Sequence, residues 1–282
     1  MNGAAESDAP ANTLFRLVHD HSSVRSYIPD AEIPPEHEQT IIAAAQRAST
    51  SCNLQSYAFL SVKDNDLRKQ ISDLAGGKTY IVEAQLLLLA CVDLHKMDLV
   101  ARKSGYRYYQ AEYLESFLMA AVDTALAAQN AALAAESLGY GICMVGALRS
   151  RAEELWEVLD LPERVFPLFG MTVGVPRKRN PVKPRLPLSA VLFEDRYDSK
   201  AVERAIEEYD RTMKASGVYE GRELDASCCS LPDKPSGRTA GERASADYGW
   251  LEHSGRRISS TDPLDVRPLL RRALERAGFG FQ

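Results

Sequence analysis

The sequence predicts an α+β fold in which a sheet is layered with helices, and three observations support this prediction. Leu86–Val92 is a continuous apolar run short enough for a fully buried strand, and Phe166–Val175 reads as a second apolar strand. Gln110–Leu138 is long enough for a helix and apolar on nearly every side. Strand and helix patterns do not alternate regularly, which disfavours a doubly wound parallel sheet.

The composition is that of an ordinary globular protein. The chain has 282 residues, 45% of them apolar and 26% charged, with a net charge of −5. This balance gives no general attraction to nucleic acid or to an anionic membrane. The five cysteines are odd in number and lack metal-ligand spacing, and no signal peptide is visible. We therefore expect a cytoplasmic location and no bound metal, with Cys91 and Cys143 buried in apolar runs.

The first half of the chain is predicted to mix short helices with strands. Proline suits the first turn of a helix, and the Gly76-Gly77 pair ends one. In chain order the predicted elements are a disordered start at 1–11, a helix at 14–19, a helix from Pro34-Pro35 through Ala48, a polar connector at 49–53, a strand at 57–62, a helix at 66–74 and a strand at 86–92.

The apolar helix Gln110–Leu138 must be enclosed on all faces, by a large core or by a partner subunit. Its segment Phe117–Leu138 is nearly charge-free, but it is rich in alanine and contains Asp123, so a buried helix is favoured over a membrane-spanning one. The remaining predicted elements are strands at 141–145, 166–175 and 190–193, helices at 151–160, 200–214 and 264–277, and a Gly-, Ser-, Asp- and Arg-rich segment at 215–249.

The chain lacks the common catalytic and nucleotide-binding motifs. It contains no GxGxxG, P-loop, HExxH or GxSxG pattern, and the missing dinucleotide fingerprint disfavours a Rossmann dehydrogenase. Three polar clusters remain, each at the end of an apolar element.

The first cluster is His21-Ser22-Ser23-Val24-Arg25. A guanidinium fork and directional hydroxyl donors can hold a phosphate, although a capped turn between two helices would use the same residues. The second is Lys183-Pro184-Arg185, where proline favours an extended backbone that lets two cations converge on a phosphate. A solvated basic loop is the alternative there, and a nucleic-acid patch is disfavoured because no aromatics are interleaved.

The third cluster is the connector Ser49–Gln55, which leads into a strand. Its hydroxyl and amide groups can bond to the edge of a heteroaromatic ring, or they can serve only the turn itself.

Taken together and in order, these clusters resemble one family. The match extends over roughly residues 13–198, and a weaker match is found at 250–257 and at Arg267-Pro268. The motifs that carry it are His21–Arg25, the Ser/Thr-rich connector ending in Gln55, Leu74–Lys78, Val122–Ala125, Ala128–Ala131, Ala135–Gly141, Leu168–Gly170 and Lys183–Pro187. This ordered set is similar to the oxygen-insensitive, NADPH-preferring nitroreductase and flavin-reductase group of the nitroreductase superfamily.

The resemblance implies a nitroreductase-like fold: a central, mostly antiparallel sheet flanked by helices, with the long buried helix at a homodimer interface. It implies FMN bound at that interface, an FMN-binding core at 12–198 after the disordered start, and an extension at 199–282 that wraps the partner and covers the active site. The implied holders of the FMN phosphate and ribityl chain are His21, Ser22, Ser23, Arg25, Lys183 and Arg185.

The resemblance also implies contacts to the flavin ring. One of Ser49, Thr50 or Ser51 would contact the flavin, and Met144, Val145, Gly146 and Ala147 would run along the isoalloxazine. Ala147 stands where relatives usually have a second glycine, and Lys78 where close relatives have glutamine. A cation at Lys78 would stabilise the anionic reduced flavin.

The implied activity is ping-pong hydride transfer from NADPH, or from NADH, through FMN to a nitroaromatic, quinone or flavin acceptor, with no catalytic protein residue. Cys52, Asn53 and Arg267 are the expected acceptor contacts. Lys214 or Arg222 would replace the family's arginine for the 2′-phosphate, whose position is occupied by Met213. The alternatives are a reductive dehalogenase-type member of the superfamily and a non-enzymatic flavin-binding redox sensor using Cys228-Cys229.

Overall fold

A four-stranded antiparallel sheet with the order β1-β2-β4-β3 forms the centre of the fold, as seen in a computed structural model. Its strands are β1 (Tyr57–Ser61), β2 (Leu86–Asp93), β3 (Gly141–Val145) and β4 (Val165–Gly174). The α+β class and the antiparallel sheet predicted from the sequence are confirmed. The strand predicted at 190–193 is wrong, as described below.

The structure describes residues 13–221, 224, 229 and 248–282. The predicted disorder at 1–11, most of the segment 215–249, Arg222 and Cys228 therefore lie outside the described residues.

The sheet is covered on both faces, which explains why β2 reads as a continuous apolar run rather than an alternating one. Leu86 and Leu88 pack with helices α2 (Pro35–Ala45) and α6 (Leu114–Ser137) on one face. The alternate residues Leu87, Leu89 and Cys91 pack on the other face against α3 (Asn65–Leu74) and α7 (Ala152–Val158). The remaining helices are α1 (Thr13–His19), α4 (Tyr80–Glu83), α5 (His95–Lys103), α8 (Ser199–Ala215), α9 (Trp250–Ile258), α10 (Pro263–Val266) and α11 (Leu270–Arg276).

Helix α6 is the long apolar helix that the sequence predicts. It begins at Leu114 rather than 110, because Tyr109–Glu112 forms a separate 3-10 turn whose Gln110 carbonyl accepts a bond from Ser116. Its length and hydropathy would allow it to cross a membrane, but one face of it, rich in alanine, is buried against α2 and the sheet. The opposite face exposes Leu118, Val122 and Leu126.

Two predicted elements in the C-terminal part are wrong. The apolar run 190–193 is not a strand: Leu188–Ala190 is a 3-10 turn, and Val191 and Leu192 are 66% and 71% exposed. The helix predicted at 264–277 is split into α10 and α11, because Arg267 adopts a left-handed φ of 52° and the next residue, Pro268, cannot donate a helical hydrogen bond.

The chain forms two compact units, Met1–Val182 with Arg267–Gln282, and Lys183–Val266. In the second unit, α8 and α9 pack through an edge-to-face contact of Tyr209 with Trp250 at 5.1 Å. Asp210 joins the same two helices, since one of its carboxylate oxygens accepts a bond from the Leu251 amide at 2.7 Å. The division at residues 198 and 199 stays a prediction.

Candidate functional site

The segment His21–Arg25 runs extended beside β3, where the Val24 amide donates to the Ile142 carbonyl at 2.8 Å. In an extended chain the side chains alternate between two sides. Ser22 and Val24 are buried, whereas His21, Ser23 and Arg25 share the accessible side. The spacing His-x-Ser-x-Arg therefore puts three donors on one face.

His21 is oriented by a carboxylate from the far end of α6. Its Nδ1 lies 2.7 Å from Oε1 of Glu136, whose side chain is only 5% exposed. We assign the proton of this bond to Nδ1, with the carboxylate oxygen as acceptor, and the other ring nitrogen then points away from Glu136 and can face a ligand. Asn180 donates to the Ser23 carbonyl at 2.7 Å and lines the same cleft as His21 and Glu136.

Arg25 connects this segment to two other parts of the predicted site. Burial raises the pKa of the Tyr80 hydroxyl and of the Cys143 thiol, and a hydrogen bond from Arg25 to each opposes the rise. Cys143 immediately precedes Met144, and Tyr80 follows the exposed Lys78 by two residues. The structure thus brings Arg25, the Lys78 turn and the end of β3 together.

The connector Ser49–Gln55 is anchored to α6 at Asp123, several turns away from Glu136. The Thr50 hydroxyl donates to Asp123 at 2.5 Å, and the Ser51 amide donates to the other oxygen of that carboxylate at 3.0 Å. Ser49 and Ser51 are exposed, as are Cys52 and Asn53. Asp123 and Glu136, which anchor the connector and His21, are separated along α6 by a rise of about 20 Å.

The segment Met144–Ala147 leaves the sheet at the end of β3 and enters a 3-10 turn, Gly146–Arg151. The Arg149 guanidinium donates to the Leu168 carbonyl and lies 3.4 Å from where a Cβ on Gly146 would be. Arg267 approaches from the C-terminal end, with its Nε 3.5 Å from the Ser150 hydroxyl.

Arg149 and Arg267 form a local excess of positive charge. Burial lowers the pKa of Arg149, and the charge of Arg267 lowers it further. Two carboxylates of α7 are already paired: Glu153 with Arg272 at 2.7 Å and Glu154 with Arg151 at 2.5 Å. Within the described residues neither Arg149 nor Arg267 has a carboxylate partner, so the pair is suited to an anion.

The predicted residues of the second unit are placed as follows. Lys183 and Arg185 are exposed, and Arg185 folds back so that its Nη1 donates to the Lys183 carbonyl at 3.0 Å. Lys214 pairs with Asp210 at 3.0 Å, and Met213 is 1% exposed.

The sequence analysis assigned no site role to Glu136, Arg149, Tyr80 or Asp123, although Asp123 and Glu136 lie within motifs that carry the family resemblance. A carboxylate in a nearly charge-free helix is the one signal that could have marked Asp123. The described part of the chain holds no cluster of His, Cys, Asp and Glu that could bind a metal ion.

Comparison with known proteins identifies the family. The model of the nitroreductase family matches residues 18–175, and that of the nitroreductase family C-terminal domain matches residues 183–226. The chain belongs to the nitroreductase family. The resemblance inferred from the ordered motifs is thereby confirmed.

Similar proteins cover most of this nitroreductase-family chain. A Cr(VI) reductase of Pseudomonas sp. (strain G-1) is 40% identical over 71% of this chain and 81% of its own. An FMN reductase (NADPH) of Bacillus subtilis (strain 168) is 35% identical, with 72% and 82% covered. The structure of B. megaterium NfrA2 superimposes with a TM-score of 0.82 at 32% identity, covering 96% of this chain and 99% of that one.

Proposed function

We propose that this protein is an FMN-dependent NAD(P)H oxidoreductase that passes reducing equivalents from NADPH through FMN to an electron-poor acceptor. The observation that carries the proposal is the set of donors His21, Ser23 and Arg25 on one accessible face, held by β3 and Glu136. A family relative named FMN reductase (NADPH) supports both cofactors.

The residues present fit a flavin phosphate. Arg25 is exposed and has no carboxylate partner among the described residues, and the imidazole of His21 is pre-oriented by Glu136. These groups would hold the phosphate by charge-assisted hydrogen bonds, while Ser22 supports the segment from its buried side. The phosphate role of Lys183 and Arg185 stays a prediction from the sequence. When bound, FMN would supply the hydride-accepting and hydride-donating chemistry, so the protein needs no nucleophile of its own.

The contacts to the flavin ring are proposed from the family resemblance, and the local geometry narrows those of the connector. The Thr50 hydroxyl donates its proton to Asp123, so the hydroxyls of Ser49 and Ser51 remain as the connector's donors to the flavin. Met144, Val145, Gly146 and Ala147 would run along the ring at the end of β3. Lys78 would place a positive charge near the ring and favour the anionic reduced state.

The acceptor would bind beside Cys52, Asn53 and Arg267. Because Arg149 and Arg267 present positive charge without a carboxylate partner in the described chain, we expect acceptors with an anionic group to be favoured. The relative named Cr(VI) reductase supports this expectation, since Cr(VI) is an oxyanion in neutral water. Nitroaromatics, quinones and flavins are the acceptor classes to test.

The nicotinamide donor is expected to be NADPH, with NADH as the alternative. Met213, at the position of the family's 2′-phosphate arginine, is buried, and Lys214 is paired with Asp210. A preference for NADPH would therefore depend on Lys214 exchanging partners or on Arg222.

We further propose a cytoplasmic homodimer. The outer face of α6 exposes Leu118, Val122 and Leu126, and such a contiguous apolar face favours a subunit interface. Anchors about 20 Å apart on one helix also fit a site completed by the partner, with the phosphate holders of one chain and the connector of the other contacting the same flavin.

The test is the visible absorption spectrum of the purified protein, followed by anaerobic addition of NADPH. A bound flavin spectrum that bleaches within the mixing time, and returns on addition of a quinone, is the expected result. A colourless protein that takes up no added FMN would refute the proposal. A flavin that binds but shows no turnover would favour a redox sensor instead, and halide release from a halogenated substrate would indicate a dehalogenase.

A further inference from the structure

The connector that follows α2 has an unusual backbone. Three of its non-glycine residues adopt left-handed conformations: Cys52 at a φ of 48°, Asn53 at 57° and Gln55 at 55°. Each such residue is disfavoured in isolation and persists only where surrounding interactions hold it. The connector therefore depends on contacts that hold this backbone, and we call the contacts made by Asp123, Thr50 and Lys96 the clamp.

Asp123 supplies one side of that clamp. It is 2% exposed and is the one charged residue of α6 between Glu115 and Glu136. Its carboxylate accepts bonds from the Thr50 hydroxyl at 2.5 Å, the Ser51 amide at 3.0 Å and the Ser56 amide at 3.4 Å. A buried carboxylate is costly unless donors satisfy it, and here two of the three donors come from the connector and the third from Ser56, the residue that follows it.

The Thr50 hydroxyl extends the clamp across the turn, because its oxygen accepts a bond from the Gln55 amide at 2.8 Å. Lys96 holds the other side, where its ammonium group donates to the carbonyls of Gln55 at 3.1 Å and Tyr57 at 2.7 Å. The Asp123 carboxylate thus binds donors of the connector and of Ser56, and the Lys96 ammonium group binds the carbonyls at the end of the connector and the start of β1. The exposed side chains of the connector, including Ser51 and Cys52, are left facing outward.

We propose that Asp123 is a positioning residue: it fixes the left-handed turn at 50–55 so that the exposed hydroxyls of Ser49 and Ser51 meet the flavin ring, and Cys52 and Asn53 meet the acceptor, in a preset geometry. This inference rests on the proposed function, which supplies the flavin. The proposed effect of Asp123 is to preorganise the connector, because an already ordered loop loses less entropy when the ligand binds.

Thr124 is a matched control for the alternative that Asp123 serves stability alone. It is the next residue on α6 and is fully buried, but its hydroxyl bonds to the carbonyls of Cys91 at 3.2 Å and Ala120 at 2.7 Å instead of the connector. Thr124→Ala therefore disturbs the same helix without touching the clamp.

The experiment compares wild type, Asp123→Asn, Thr50→Val and Thr124→Ala. For each FMN-stripped protein, the Kd of FMN is measured by quenching of its fluorescence, and amide hydrogen exchange is measured over 49–56. The asparagine is isosteric, but its NH2 group cannot accept the bonds made by one carboxylate oxygen. We expect Asp123→Asn and Thr50→Val each to raise the Kd at least about tenfold and to speed exchange in the connector, as the loss of a charge-assisted hydrogen bond implies.

Thr124→Ala should lower Tm yet leave the FMN Kd within about twofold. Because Asp123→Asn and Thr50→Val break the same bond, their effects on the Kd should not add in the double variant. Unchanged FMN affinity and exchange in folded Asp123→Asn would overturn the inference, and if that variant does not fold, the same outcome in Thr50→Val would do so. If the wild-type protein binds no FMN, the proposed function is refuted. Faster exchange in Asp123→Asn and Thr50→Val but not in Thr124→Ala would still support the clamp in that case.

Discussion

Replacement of Val122 by glutamate tests whether the outer face of α6 is a subunit interface. Val122 is 50% exposed and lies between Leu118, which is 54% exposed, and Leu126, which is 43% exposed. The four-residue spacing puts all three on one side of the helix. A partner that covers this face must bury the introduced carboxylate.

The size of the effect follows from these exposures. Full burial of a leucine or valine side chain contributes about 1.5–3 kcal/mol, so covering the exposed half of each contributes about 1 kcal/mol. Both subunits of a twofold dimer contribute, which makes the three positions worth about 6 kcal/mol. Glutamate at 122 removes part of this and adds an unpaired buried charge of about 3 kcal/mol on each side. We expect the dimer Kd to rise by at least about a thousandfold.

Sedimentation velocity across a concentration series measures that Kd directly, and bound FMN is measured in the same samples. The matched control is Val100→Glu, because Val100 is also an exposed valine on a helix, 56% exposed on α5. Val122→Glu should sediment as a monomer and lose FMN, whereas the control should remain dimeric. Equal dimer affinity in the two variants, or a monomeric wild type, would refute the reasoning.

Three further predictions follow from single contacts. Arg68→Met should lower the free energy of unfolding by about 3 kcal/mol in urea titrations, because the buried guanidinium serves three backbone carbonyls; a loss below about 1 kcal/mol would contradict this. Glu136→Gln should weaken FMN binding about tenfold with an unchanged circular dichroism spectrum, since His21 loses its charged partner; unaltered affinity would disprove that role. Arg267→Gln should lower kcat/KM about tenfold for 4-nitrobenzoate but not for neutral 4-nitrobenzamide, with Arg151→Gln as the control; equal losses on both acceptors would argue against an anion preference.

Features that depend on local pattern were predictable from the sequence. The strands at 57–62, 86–92, 141–145 and 166–175 are found within a residue or two, because strand-length apolar runs and flanking turns are encoded along the chain. The shared face of His21, Ser23 and Arg25 follows from the twofold period of an extended segment. The ordered set of motifs identified the family before any geometry was known. Each motif alone is unspecific, but their order along the chain is specific to the family.

Tertiary structure decided the features that depend on distant partners. The bond between His21 and Glu136 joins residues 115 apart, and Thr50 meets Asp123 across 73 residues. Neither pairing has a local signature. The run 190–193 is apolar enough for a strand but pairs with no other strand among the described residues, which shows that composition alone does not make a sheet. The left-handed turns at 52–55 and at Arg267 likewise occur in residues with no intrinsic preference strong enough to predict them, because packing and hydrogen bonds from elsewhere in the fold determine the backbone there.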